Sequence, residues 1–309
     1  MIYTCTITPS IDYTVYLPEF NQGKLNRSNE VYYFPGGKGI NVSRVLNRLQ
    51  VKSIALGFAG GFTGEYIRNF LQNEGIETKF IETADPTRIN VKIKAAEESE
   101  LNGPGPDTTH EQRKQLLAYL EDLEADDWFV LAGSLPDSFP DSFYQAIATR
   151  CHKNGIHFVL DTSGSALKEL INSQPFLIKP NQHELGDLFE TTIQTKSEAI
   201  FYARKLVESG ITCVIVSMGG HGAILVTKDQ SLIAEAPPGQ VVNTVGAGDS
   251  LVSGFLASYV QHNDVKEAFR YGVASGSASA FRTDLCEKTD VDVLVPKVKI
   301  HHYKEEDVS

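Results

Sequence analysis

The residues whose types and spacing best suit chemistry lie late in the chain, at Gly246-Ala247-Gly248-Asp249. A β-like run, Gln240-Val241-Val242-Asn243-Thr244, leads into them, and a helical pattern follows at once, with Val252, Phe255, Leu256, Tyr259 and Val260 forming an apolar stripe. Asp249 lies in line with that stripe, at the N-terminal end of a core-facing row, where a carboxylate needs a reason. Glycines let the backbone approach an anion closely, and the unpaired N–H groups and positive dipole end of a helix stabilise phosphate charge. The segment therefore sets an anion cradle beside a candidate base; complementing the helix dipole is the plainer role for the same aspartate.

Three further loops carry suitable side chains. Pro35-Gly36-Gly37-Lys38-Gly39-Ile40-Asn41 offers backbone donors, an ammonium and an amide ahead of a helix, for hydroxyls or phosphate or simply as a glycine turn. It is no Walker A loop, because Gly39 follows Lys38 where Ser or Thr should stand, and no G-x-G-x-x-G follows the first strand. Ser217-Met218-Gly219-Gly220-His221-Gly222 can cradle a nucleotide or make a plain hairpin turn. In Lys179-Pro180-Asn181-Gln182-His183-Glu184, Asn181 and Glu184 share one face of a helix start, as water-bridged ligands of Mg²⁺ or as a capping box. His183 and His221 lack partners at metal-ligand spacing and read as solvated loop residues.

Nearly continuous apolar runs supply the elements that position these loops: Ile2–Ile7, Ser53–Phe58, Trp128–Leu131, His157–Leu160, Phe176–Ile178, Cys213–Val216 and Ala223–Val226. Runs of this kind are strands buried on both faces, and helical patterns such as Val42, Val45, Leu46, Leu49 fall between them, so the expectation is α/β, a mainly parallel sheet sandwiched by helices. Ligands of such sheets sit beyond the carboxyl ends of the strands, where Ser134, Asp161, Lys179, Asn181 and Ser217 follow the runs. Residues about 12–35 and 88–101 break the alternation; Ile89, Val91 and Ile93 alternate with Asn90, Lys92 and Lys94 as in strands with one solvated face. They predict a small sheet projecting from one domain that spans 1–309, placed as a lid. At 309 residues, 41% apolar and 22% charged, the chain can bury a large core, and a formal net charge of −11 argues against nucleic-acid or anionic-membrane surfaces. Cys5, Cys151, Cys213 and Cys286 are far apart and read as core thiols of a reducing compartment. With no signal-like start and no membrane-length run, the expected location is the cytoplasm.

Together the early Gly36-Gly37-Lys38-Gly39-Ile40-Asn41 and the late Val245-Gly246-Ala247-Gly248-Asp249-Ser250 resemble the two signatures of the PfkB, or ribokinase-like, carbohydrate kinases. Thr8-Pro9-Ser10-Ile11-Asp12, Gly133-Ser134-Leu135-Pro136, the Lys179 to Glu184 segment and the Ser217 to Gly222 segment fall in family order, so the likeness covers nearly the whole chain. Thr87-Arg88-Ile89-Asn90-Val91-Lys92 and Asn102-Gly103-Pro104-Gly105-Pro106 are most similar to the phosphosugar branch, which takes fructose 1-phosphate or tagatose 6-phosphate. Asn243-Thr244-Val245 stands where many members carry an acidic residue and Thr-Thr, so no ion-binding role is given to Asn243.

The resemblance implies a ribokinase-like three-layer α/β/α sandwich with a β-sheet lid and an ATP-dependent phosphoryl transfer, fructose 1-phosphate to fructose 1,6-bisphosphate, with tagatose 6-phosphate and fructose 6-phosphate as alternative acceptors. Asp249 is then the base, held ionised by the helix field at a low pKa, and the N–H groups of Gly246, Ala247, Gly248 and Asp249 form the anion hole. Asp12, Gly36, Gly37 and Asn41 grip the sugar; Lys24, Arg27, Lys38, Arg88, Asn90 and Ser134 surround the sugar and the phosphate it already carries. ATP contacts fall to Lys179, Asn181 and Ser217-Met218-Gly219-Gly220-His221-Gly222, with Gly276 on the small-residue helix alongside. Mg²⁺ is held through water by Asn181 and Glu184. Lid closure excludes water, and a homodimer joined through the lids follows from their exposed strands. Two other classes compete: a catalytically silent sugar- or nucleotide-binding regulator, and a nicotinamide dehydrogenase.

Overall fold

The computed structural model describes residues 1–136 and 138–303. In chain order the strands are β1 (Ile2–Thr6), β2 (Ser10–Tyr16), β3 (Glu30–Gly36), β4 (Ser53–Ala59), β5 (Glu77–Glu82), β6 (Arg88–Lys94), β7 (Ser99–Asn102), β8 (Trp128–Ala132), β9 (His157–Asp161), β10 (Leu177–Ile178), β11 (Cys213–Ser217), β12 (Ala223–Thr227), β13 (Ser231–Ala234) and β14 (Ile300–His302). The large sheet runs β14-β13-β12-β11-β10-β9-β8-β1-β4-β5. It is parallel from β11 to β5 and antiparallel across β11, β12, β13 and β14.

Why the runs are continuously apolar is visible on β8. Phe129 and Leu131 enter one core, against the helices Asp141–Lys153 and Lys196–Glu208. Trp128, Val130 and Ala132 enter the other, against Lys38–Arg48, Ala247–His262 and Val265–Ala280. Each side chain of the strand is buried because both faces are covered, which is the three-layer α/β/α arrangement. All four cysteines are free and buried in these layers. Among the described residues, no helix is long and apolar enough to cross a membrane.

The second sheet, β3-β2-β6-β7, is separate. Asp12 pairs in register with Phe34 and Asn90, and Asn90 with Asn102, so these share a face with Arg88 and Lys92. The opposite face carries Tyr13, Tyr33, Val31, Ile89 and Leu101, of which Tyr33 is 53% and Leu101 63% exposed. Here the polar row, rather than the apolar one, looks toward the body of the protein. The Gln240–Thr244 run, expected as a strand, is not one. The N–H groups of Val242 and Asn243 both donate to the carbonyl of Ala280, at the end of a helix, so no ladder neighbour is available to them.

Candidate active site

Asp249 occupies the first turn of the Ala247–His262 helix and is 6% exposed. The turn before it depends on Gly246, whose φ of 80° is a left-handed conformation that a side chain disfavours. The N–H of Ala247 donates to the carbonyl of Thr244 at 3.2 Å, which closes this turn. Ala247 is therefore a poor donor to an anion, contrary to the expectation from sequence. The N–H groups of Gly246, Gly248 and Asp249 have no backbone acceptor among the described residues. Asn41 Nδ2 donates to Asp249 Oδ2 at 2.8 Å, joining the early glycine loop to the late one across 208 positions of sequence.

Beside it lies a cluster that sequence reasoning only brushed. Asp161, at the carboxyl end of β9, is fully buried and bridges Lys38 Nζ at 3.0 Å and Lys179 Nζ at 3.4 Å. Its second oxygen, Oδ2, has no hydrogen-bond partner among the described residues. Burial works against the charge of Asp161, but Lys179 and Lys38 outweigh it and hold the carboxyl below its ordinary value. Asp249 behaves in the opposite sense. Burial and the like charge of Asp161 push it up to about 6, against Lys38, Asn41 and Lys179. The helix field, which the sequence suggested would keep this pKa low, is outweighed by desolvation. The ammonium of Lys38 is held above its ordinary value, chiefly by Asp161, with Asp249 and Glu184 adding to it.

A cavity of about 450 Å³ opens between this cluster and the small sheet, lined by Asp12, Gly37, Lys38, Asn41, Arg88, Asn90, Ser134, Lys179, Gly246, Gly248 and Asp249 among others. Asp12 Oδ1 accepts from Ser10 Oγ at 2.8 Å and Asn90 Nδ2 at 3.2 Å. Gly36 passes so close to the Asp12 carboxyl that a β-carbon there would collide with it. Arg88 donates to the carbonyls of Gly103 and Thr8, and its buried Nε has no hydrogen-bond partner among the described residues. Lys92, which reading the chain alone did not single out as a ligand, also lines the cavity and pairs with Asp12 Oδ2 at 2.8 Å. The signal was present: Lys92 lies four residues beyond Arg88 in a period-two strand and so on the same face.

Lys24 and Arg27 do not reach this cavity. Both are exposed in the loop joining β2 to β3, beyond the Tyr16–Glu30 pair. That pair is six residues from the Ser10–Gly36 pair that abuts the site, or roughly 20 Å at strand rise. Gly276 is likewise a packing residue, since a β-carbon there would lie 2.9 Å from the carbonyl oxygen of Ala247. It brings the helix Val265–Ala280 close beneath the turn at Gly246. Ser217 ends β11 and bridges to Asn181, while Gly219, Gly220 and His221 are exposed in a single 3₁₀ turn and Met218 is buried. Gly222 closes that turn with a φ of 90°. This segment lies outside the lining of the 450 Å³ cavity. Asn181 and Glu184 form a reciprocal capping box on the helix Gln182–Leu188, each side chain bonding the other's N–H at 2.8 Å.

Known proteins share this sequence pattern and fold. The pattern of the pfkB family carbohydrate kinases matches residues 6–291. The chain is 50% identical over 300 residues to the 1-phosphofructokinase of Bacillus subtilis (strain 168), covering 97% of this chain and 99% of that one. It is 34% identical to the D-tagatose-1-phosphate kinase of Bacillus licheniformis, over 98% of this chain and 100% of that one. The crystal structure of phosphofructokinase-2 from Escherichia coli in complex with substrates and products superposes with a TM-score of 0.91 at 31% identity, covering 96% of this chain and 98% of that chain. The chain belongs to the pfkB family of carbohydrate kinases.

Proposed function

We propose that the protein transfers the terminal phosphoryl group of ATP to the 6-hydroxyl of fructose 1-phosphate, giving fructose 1,6-bisphosphate and ADP. The observation that carries the reading is the position of Asp249, between an anion-binding turn and a polar sheet face within one cavity. The near full-length likeness to a 1-phosphofructokinase supports the acceptor.

In this reading Asp12, Gly36, Gly37, Asn90 and Asn41 orient the sugar, and Arg88 and Ser134 hold the phosphate it already carries. The acceptor oxygen attacks the terminal phosphorus in line, the bond from that phosphorus to the bridging oxygen breaks, and Asp249 takes the hydroxyl proton. The N–H groups of Gly246, Gly248 and Asp249 and the ammonium groups of Lys38 and Lys179 spread the charge of the transferring group. Asp161 keeps both ammonium groups in place and keeps Lys38 from closing onto the base. The Ser217 to Gly222 segment receives the nucleotide's adenosine end.

The donor set suits Mg²⁺ held through water. The residues offer hard oxygens on Glu184 and Asn181 and the orphaned Oδ2 of Asp161, and no group of three or more His, Cys, Asp or Glu among the described residues could bind a metal directly. When bound, the ion would neutralise phosphate charge. The cap engages Oε2 of Glu184, so Oε1 is the oxygen that would meet a metal-bound water.

The small sheet acts as a lid that closes over the sugar and excludes water. Its exposed apolar face, with Tyr33, Ile89 and Leu101, favours a homodimer through the lids. The acidic net charge and the four free, buried cysteines fit the cytoplasm.

The test is ADP release measured across fructose 1-phosphate, tagatose 1-phosphate, tagatose 6-phosphate, fructose 6-phosphate and ribose. Fructose 1-phosphate is expected to give the highest kcat/KM. A higher value with either tagatose phosphate would move the assignment to that epimer, and no ADP release with any ketose phosphate would favour a silent binding protein.

A further inference from the structure

The cations around the cavity differ in what holds them. Lys38 and Lys179 are tied to Asp161 on the side of the anion turn. Arg88 is tied to two backbone carbonyls. Lys92 is tied to the sugar-gripping carboxylate itself: its Nζ donates to Asp12 Oδ2 at 2.8 Å, while Ser10 and Asn90 occupy Oδ1. In the free protein both oxygens of Asp12 are therefore engaged, and a ring hydroxyl at Oδ2 must share a carboxylate whose charge is already drawn to the Lys92 ammonium.

A ligand can exchange that engagement for a stronger one. A sugar phosphate carries close to two negative charges near neutral pH and outcompetes a single carboxylate for an ammonium. Lys92 and Arg88 sit on one face of β6 with Asn90 between them, about 13 Å apart at the backbone. The ammonium of Lys92 lies at Asp12 and the guanidinium of Arg88 at the carbonyls of Thr8 and Gly103; both line the same cavity as Asn90, so a phosphate bound there can draw on Lys92 with Arg88 on its other side. The shift of the ammonium from carboxylate to phosphate leaves Oδ2 with its full charge to accept a hydrogen bond from a sugar hydroxyl.

We propose that Lys92 is the specificity-determining residue that makes a phosphate on the acceptor the condition for gripping its ring: the ammonium leaves Asp12 for the phosphate, and the released oxygen takes a sugar hydroxyl. A ketose without a phosphate leaves the Asp12–Lys92 pair closed. This inference rests on the phosphosugar-kinase reading, and it adds a residue and a reason for discrimination to it.

The experiment compares Lys92→Met, Lys92→Gln and Lys92→Arg with the unaltered protein, using fructose 1-phosphate and fructose, by steady-state kinetics and by calorimetric binding of each sugar without ATP. Loss of one charge-assisted contact predicts roughly a 10- to 100-fold fall in kcat/KM for fructose 1-phosphate through KM in the Met and Gln variants. Fructose should be used as well as or better than before, the KM for ATP should hold, and the Arg variant should keep most of the discrimination. Equal losses for both sugars would reduce Lys92 to a support for Asp12 and overturn the proposal, as would no loss for either. If the unaltered protein releases no ADP with any ketose phosphate, the kinase reading fails. Calorimetry then still decides the residue: selective loss of the phosphorylated sugar supports it, and parallel loss overturns it. Should the Met variant not fold, the Gln variant carries the same comparison.

Discussion

Burial of Asp249, with the charge on Asp161 added to it, should set the pH at which the enzyme loses activity in acid. Asp249 is pushed up to about 6 by burial and by Asp161. A base acts when deprotonated, so activity is present above that value and lost as pH falls through it. The ionised fraction drops from about 0.9 at pH 7 to about 0.1 at pH 5, close to a tenfold loss in kcat/KM. The acceptor's own phosphate titrates near pH 6 as well, so an acid limb in the unaltered enzyme does not by itself identify its source. Asp161→Asn separates the two. It removes the like charge while keeping the shape, and should move the Asp249 titration acidward by on the order of one unit, about 1.4 kcal/mol. The substrate's titration cannot move with a mutation. The same change frees Lys38 and Lys179, so the plateau rate should also fall. The assay is initial-rate ADP release at limiting fructose 1-phosphate and saturating ATP, from about pH 4.5 to 8.5 at fixed ionic strength. An acid limb that stays in place in Asp161→Asn would refute the reasoning, because the limb would then belong to the substrate or to another group.

Two further outcomes follow from the packing. In Gly248→Ala the new β-carbon would stand 3.0 Å from Lys179 Nζ and 3.4 Å from its Cε; the flexible lysine yields, so the melting temperature should change little while kcat falls about 100-fold through a displaced cation and a crowded anion turn, and an unaltered kcat would remove this turn from the transfer step. Arg44, 2% exposed, bonds both Glu74 and Asp284 and stacks near Phe34 and Phe70. Arg44→Met should cost about 2–3 kcal/mol by urea unfolding, because Glu74 and Asp284 each lose one of two arginine partners and keep Arg48; a loss below about 0.5 kcal/mol would mean that Arg48 and water make up for the missing guanidinium.

Much of the layered fold was legible because burial on both faces writes itself into composition, as the alternate side chains of β8 show. The Gly246 to Asp249 turn was legible because close backbone approach demands glycine there. What escaped the sequence depends on pairings between distant segments. The salt bridge of Asp12 with Lys92 needs the register of β2 on β6, and the place of Asp161 needs β9 to lie two strands from β1. Lys24 and Arg27 looked suitable by charge and proximity in sequence, yet strand length carries them away from the cavity. The β13 and β14 extension was missed for a simpler reason: four- and three-residue strands carry too little periodicity to be read.

The most direct test of the central claim is Asp249→Asn, assayed for turnover with fructose 1-phosphate and for binding of ATP and sugar separately. Loss of a positioned base predicts a fall in kcat of about two to four orders of magnitude with both affinities retained. Near-normal turnover would show that the proton leaves by another route and would contradict the account.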